Sequence, residues 1–402
     1  MPPEIVDTLV VGGGQAGLAM SEHLSKCGIG HLVLERHRIA ERWRTARWDS
    51  LVANGPAWHD RFPSMKFADV APDDFATKES VAAYFETFAA KMNVPIRCGV
   101  EVLSVEKTAD GSGFSVATSQ GPLRARNVVA ATGPFQQPLI PQVVPEQADP
   151  TQIHSTAYRN PAQLDPGAVL VVGAGSSGVQ IAEELLTSGR EVYLSVGPHD
   201  RPPRRYRGHD FVWWLGVLGK WQQQTPTAGA EHVTIAVSGA NGGKTVDFRR
   251  FAANGMTLVG RTLGFRNGVL TFAPDLAANI ARGDANYLSI LDEADAYATR
   301  EDIALPQDPQ AREIGPDPDC VKNPIGELDL AQAGITTIIW ATGFTQNFDW
   351  LKVDAFDAQG KPQHLGLPWL SMRGSAFIWG VWVDAAYLAG HIATSRQSAV
   401  AV

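Results

Sequence analysis

Cysteine is scarce in this chain: Cys27, Cys98 and Cys320 are the only three in 402 residues, far apart and with no C-x-x-C pair. Neither a dithiol redox centre nor a cysteine-based metal cluster can be read from that spacing, and the thiols are read as small hydrophobes. No metal site is expected. Excess positive charge is missing as well. The chain has 34 Lys and Arg against 42 Asp and Glu, a net charge of -8, which is the wrong sign for a surface that holds nucleic-acid backbones. The start, Met-Pro-Pro-Glu, has no basic stretch leading into a long apolar one, so no export signal is read and a cytoplasmic location is expected. The longest aromatic-rich apolar run, Phe211 to Gly219, falls far short of the roughly 20 residues that a bilayer span requires.

What the chain does have is glycine, 39 residues of it, and two of its clusters share one pattern. The apolar run Thr8 to Val11 leads into Gly12-Gly13-Gly14-Gln15-Ala16-Gly17. A segment with apolar residues at helical spacing follows, ending at Gly28, and His31 to Leu34 reads as a second strand that stops at Glu35. The pattern then repeats. Val169 to Val172 leads into Gly173-Ala174-Gly175-Ser176-Ser177-Gly178, then a helical face from Val179 to Leu186, then Val192 to Leu194. Between the copies, Ala125 to Ala131 reads as a strand ending at Thr132-Gly133. A proline-rich connection follows it, with Pro138, Pro141, Pro145 and Pro150.

A G-x-G-x-x-G turn between strand and helix lets backbone N–H groups and the positive end of the helix dipole approach a pyrophosphate. Gly12, Gly14, Ala16 and Gly17, and again Gly173, Gly175, Ser176, Ser177 and Gly178, are therefore candidate nucleotide contacts. Glu35 lies about 20 residues past the first turn, where a carboxylate accepts from ribose hydroxyls. At the matching place in the second copy stands Ser195 or Val196, neither of them acidic, and Arg201, Arg204, Arg205 and Arg207 follow closely. Guanidinium forks suit a phosphate dianion, so Ser195, Arg204 and Arg205 are read as the ribose and 2'-phosphate end of NADPH; the alternative is a solvated basic loop.

The fold class read from this is α/β, with two Rossmann-like dinucleotide-binding domains and the NADPH domain inserted in a discontinuous FAD domain. The expected boundaries are 1–150 for the first part of the FAD domain and 151–330 for the NAD(P)H domain. Residues 331–402 would return to the first sheet through the strand Ile335 to Trp340, which ends in Ala341-Thr342-Gly343, and a helix from Asp384 to Ile392. Within 206–325, an Asn267-Gly268 hairpin and two helices, Asp275 to Ala281 and Leu288 to Thr299, are expected without an assigned task.

These pieces together resemble the class B flavoprotein monooxygenases, especially their compact bacterial and plant branch that includes indole-pyruvate monooxygenases. The resemblance spans nearly the whole chain. It rests on VVGGGQAG with Glu35, Arg42-Trp43 followed by RWDSL, Asn54-Gly55-Pro56, AATG at Ala130 to Gly133, VVGAGSSG, WATGF at Trp340 to Phe344, and VDAAYLAGHIA. It implies FAD and NADPH as cofactors, with Trp43 beside the flavin, Thr132 and Gly133 near its adenine half, and Thr342 and Gly343 as further cofactor contacts. It also implies that Asn54 lies at the reactive edge of the flavin as the catalytic amide; the alternative is a turn residue before Gly-Pro. The implied function is an NADPH-dependent FAD monooxygenase that forms a flavin C4a-hydroperoxide. Such an enzyme inserts one oxygen atom of O2 into a small organic substrate at nitrogen or sulfur. Baeyer-Villiger or indole-pyruvate-type carbon oxygenation, and a flavin reductase with a quinone or protein acceptor, are the alternatives. A homodimer is left open.

One departure bears on the subgroup. The superfamily fingerprint F-x-G-x-x-x-H-x-x-x-[FY] keeps His154 and Tyr158 but has Ala148 and Pro150 at the Phe and Gly places. His154 reads more simply as a hinge histidine bonded to backbone than as a catalytic one. The aromatics Phe211, Trp213, Trp214, Trp369, Trp379 and Trp382 are read either as the lining of a substrate entrance or as core.

Overall fold

The computed structural model describes residues 3–224, 234–355 and 365–400. The chain opens with β1 (Glu4–Val11), α1 (Gln15–Lys26) and β2 (His31–Glu35), and β1 pairs in parallel with β2 on one side and with β3 (Gly121–Ala130) on the other. Parallel strands covered on both faces must be apolar along their whole length. Leu9 and Val10 of β1 and Val33 of β2 are accordingly fully buried. This first sheet has seven strands, in the order Leu351–Lys352, Val102–Lys107, Phe114–Thr118, β3, β1, β2 and Ile96–Cys98.

The second sheet repeats the arrangement with β4 (Ala168–Val172), α2 (Ser176–Thr187), β5 (Val192–Ser195) and β6 (Thr257–Val259). All five residues of β4 are buried. The hairpin predicted at Asn267-Gly268 joins Thr262–Arg266 to Val269–Phe272, with both turn residues at positive φ, as a tight primed turn demands. The two helices expected after it are one helix, α3 (Leu276–Arg300). Gly283 lies inside it, and a Cβ there would come 2.5 Å from His199 Nε2, so the position has room only for glycine.

The strand β7 (Ile335–Trp340) corrects the expected closure. It does not return to the first sheet; it lies in the second, between β4 and Thr151–His154 and parallel to both. The reason is visible at the glycine turns. Each needs a strand end beside it, and Ala341 stands over Gly173 as Ala131 stands over Gly12. The chain does return to the first sheet afterwards, through Leu351–Lys352 and the last helix, α4 (Ile378–Val400). Val381, Ala385 and Ala389 of α4 pack with Ala16, Leu18, Ala19 and Met20 of α1 in one apolar cluster. The Trp382 indole N–H donates to Glu22 of α1 at 2.7 Å. Among the described residues no helix is long and apolar enough to cross a membrane.

Candidate functional site

The two glycine turns are near-copies in their geometry. Gly12 and Gly173 have φ of +117° and +116°, and a Cβ on either would come 2.5 Å from a backbone oxygen, that of Ala131 or Ala341. A Cβ on Gly17 or Gly178 would come 1.8 Å from the carbonyl oxygen of Gly12 or Gly173. These four glycines are thus required by the close approach of helix to strand. The middle ones are different: around a Cβ on Gly14 there is nothing within 4 Å, and on Gly175 only Thr234 at 3.4 Å. As glycines they cap their helices with no side chain, so the first-turn N–H groups of α1 and α2 receive no side-chain cap, as an anion site requires.

Glu35 ends β2 with Oε2 accepting from Gly13 N at 2.7 Å and Oε1 from His37 N at 2.9 Å. Each oxygen keeps a lone pair for a ribose hydroxyl. In the second copy the register Val11 to Leu34 is matched by Val172 to Ser195, so the counterpart of Glu35 is Val196, which is fully buried. Ser195 is committed elsewhere: its Oγ donates to Gly260 O at 2.9 Å and accepts from Thr262 N at 3.2 Å. Ser176 is likewise engaged, donating to Ile235 O, while Ser177 stays partly exposed.

The arginines divide differently from the sequence expectation. Arg204 is buried between the rings of Phe75 and Phe211, with its guanidinium carbon 4.7 and 4.6 Å from their centroids. Its Nε and Nη2 fork onto Asp210, and its Nη1 donates to Asn54 O at 2.6 Å. Burial pulls its pKa down, against the pull of Asp210. No donor is left over for a phosphate, so Arg204 is a structural ion pair. Arg201 is buried against Asp284 and Arg207 is paired with Asp295, whereas Arg205 is exposed on a short hairpin. Another arginine stands where the second strand ends: the Arg261 side chain lies 3.3 Å from a Cβ built on Gly197, the residue after Val196, and is paired with Asp275 at 2.6 Å.

Arg42 and Arg47 form a second cationic pair. Burial lowers both pKa values, that of Arg47 to about 10, with Arg42 adding repulsion. Arg47 lies over Trp43 and Phe135, and Arg42 over Phe344. Arg42 Nε and Nη2 are buried with no hydrogen-bond partner among the described residues. Two half-buried cations, one of them with unmet donors, suit an anion, and a nucleotide pyrophosphate fits that demand. Beside them, Thr132 Oγ1 and Gly133 O accept from Gln136, and Thr342 Oγ1 donates to Leu139 O. His154 Nε2 donates to Gly343 O at 3.0 Å, and its Nδ1 accepts from Thr156 N at 3.2 Å. Burial lowers its pKa. This is the hinge role rather than the catalytic one.

Asn54 is tied to the other copy. Gln180 of α2 donates through Nε2 to Val237 O at 3.0 Å and to Asn54 Oδ1 at 2.8 Å. A carbonyl only accepts, so Val237 fixes which end of Gln180 is nitrogen, and Gln180 in turn fixes which end of Asn54 is oxygen. The Asn54 NH2 is therefore turned away from Gln180. Next to it, Asp60 accepts from Gly55 N at 2.9 Å and from His59 Nδ1 at 2.7 Å. The only sequence trace of this arrangement is a His-Asp pair just past Asn54-Gly55-Pro56, too common a dipeptide to single out. Of the six aromatics read as an entrance, Phe211 and Trp379 join an apolar cluster with Trp221, Val237 and Phe377. Trp214 is core, Trp213 stacks on His209, and Trp382 serves the α1–α4 contact.

Residues 9–209 match the family described as pyridine nucleotide-disulphide oxidoreductase. An uncharacterized CzcO-like oxidoreductase of Geobacillus kaustophilus is 33% identical over 96% of this chain and 98% of its own length. Indole-3-pyruvate monooxygenase YUCCA1 of rice is 31% identical over 47% of each chain. Among solved structures, the flavin-containing monooxygenase of Stenotrophomonas maltophilia covers 98% of this chain and 99% of its own, at 19% identity and a TM-score of 0.65, a likeness of fold.

Proposed function

Because this chain belongs to the pyridine nucleotide-disulphide oxidoreductase family, we propose that it is a class B flavoprotein monooxygenase, with FAD bound at the start of α1 and NADPH at the start of α2. There it would insert one oxygen atom of O2 into a small organic substrate, at nitrogen or sulfur. Bound flavin and nicotinamide would supply the hydride and oxygen chemistry; the protein supplies placement and hydrogen bonds. The observation that carries this reading is the Gln180 to Asn54 bond, which joins the helix of the second glycine turn to the loop beside the first. Disulphide reduction by a dithiol centre, the other chemistry in the family's description, finds no C-x-x-C pair in this chain.

In this reading Glu35 takes the FAD ribose, Arg42 and Arg47 balance pyrophosphate charge, and Asn54 offers a neutral N–H to oxygen. A neutral donor stabilises without protonating, which keeps oxygen from leaving as peroxide. The experiment is to measure NADPH oxidation, oxygenated product and released peroxide across amines and thioethers. Replacing Asn54→Ala should leave flavin reduction within about twofold, while product per NADPH falls about tenfold or more and peroxide rises to match. Equal loss of both half-reactions would make Asn54 a structural residue only.

NADPH preference rests on Val196, which cannot repel a 2'-phosphate, and on Arg261, which lies over Gly197 beside it. One charge-assisted contact of about 1.4 kcal/mol is tenfold in affinity. Arg261→Ala should therefore raise the NADPH KM about tenfold and leave the NADH KM unchanged. Steady-state kinetics with both nucleotides decide it, and parallel changes for the two would remove Arg261 from this role.

A further inference from the structure

His59 is 8% exposed and sits among four aromatic rings, with centroid distances of 5.6 Å to Trp58, 5.3 Å to Trp221, 5.7 Å to Trp379 and 6.5 Å to Phe377. Its Nδ1 faces the Asp60 carboxylate, which only accepts, so Nδ1 carries the hydrogen. In the neutral ring this leaves Nε2 as an acceptor, and Nε2 is buried with no partner among the described residues. The indole N–H of Trp379 is buried without a partner in the same cluster. A buried acceptor and a buried donor, both unmet among the described residues, are costly to leave so and are normally satisfied by an ordered water or a ligand.

Three hydrogen bonds place this cluster between the two glycine turns. Gln15, directly after Gly14, donates to Ala376 O, one residue before Phe377. Ser176 and Gln180 of α2 donate to Ile235 O and Val237 O, and both of those residues pack in the cluster. Asp60 also holds Gly55, the neighbour of Asn54.

We propose that His59, Trp379 and the rings of Trp221 and Phe377 form the substrate subsite. Its ligand is a flat aromatic molecule bearing an O–H group that donates to His59 Nε2 and accepts from Trp379 Nε1. The walls reward ring area, and the two polar atoms demand one group that can do both. Asp60 is a positioning residue that holds the imidazole in the accepting tautomer. Calling the ligand a substrate rests on the monooxygenase reading, but its binding does not.

The test uses oxidised flavin-loaded protein and two probes, phenol and anisole, which share a ring and differ in the O–H. Titration calorimetry should show phenol bound about tenfold tighter than anisole. His59→Asn keeps a donor to Asp60 and removes the Nε2 acceptor; the preference should shrink to about twofold or less, with the flavin absorbance unchanged. Trp379→Phe keeps an aromatic ring and removes the N–H from which the oxygen of either probe accepts, so both should weaken by a similar factor while phenol keeps its lead; it tests the Trp379 half of the subsite if His59→Asn does not fold, and unchanged binding of both probes removes Trp379 from it. Equal binding of both probes to the unaltered protein, or no binding of either, overturns the proposal. So does a His59→Asn protein with its preference intact and its flavin spectrum shifted, which would mean that His59 faces the flavin. Absence of oxygenated product with the phenol preference present would instead reject the monooxygenase reading and keep the subsite.

Discussion

Gly17→Ala should yield colourless protein, whereas Gly178→Ala should stay yellow and lose its response to NADPH. In both, the added methyl would sit 1.8 Å from a backbone carbonyl oxygen, which no rotamer change can relieve. Helix and strand must separate, at a cost above the about 1–3 kcal/mol of ordinary overpacking. Even 3 kcal/mol is roughly two decades in affinity when it falls on the bound state. The effects should be separable because the two turns lie on different sheets, with Gly17 against β1 and Gly178 against β4. Flavin absorbance per protein reads the first turn, and the rate of flavin bleaching by NADPH reads the second. If both variants lose flavin to the same extent, the assignment of one nucleotide to each turn is wrong.

Arg204→Ala should be the most destabilising of the arginine replacements and should not change the ratio of NADPH to NADH KM. Its loss leaves the Asp210 carboxylate, with a side chain 9% exposed, without its fork, and leaves the Asn54 carbonyl without its donor. Removing one partner of a buried pair costs about 3–5 kcal/mol, because the remaining charge is stranded. Thermal unfolding of the purified variant measures the loss. Arg261 should behave in the opposite way, since its pair with Asp275 is more than half exposed on the arginine side and adds little to stability. A stable Arg204→Ala protein with a selectively weakened NADPH KM would restore the phosphate role read from the sequence.

The contrast shows where sequence reading is reliable and where it stops. That Arg201, Arg204, Arg205 and Arg207 follow the second strand is plain in the chain, but which of them face a ligand depends on partners far away. Asp284 and Asp295 lie on a helix more than 80 positions later, and their carboxylates claim Arg201 and Arg207. Arg261, in the turn that follows β6, has no local mark at all. The same limit applies to His59 and Trp379, which are distant in sequence and meet only in the folded chain, with ring centroids 5.7 Å apart.

Local spacing by itself determined the two strand–glycine–helix units, the carboxylate at the end of β2 and its absence after β5. It could do so because those features depend on contacts within some 25 residues and on φ values open chiefly to glycine. Only the tertiary structure decided that β7 closes the second sheet, that Arg204 is an internal ion pair, and that Gln180 sets the direction of the Asn54 amide. Those outcomes follow from pairing and burial between segments that the chain order leaves far apart, where many partners satisfy the same pattern and packing selects one.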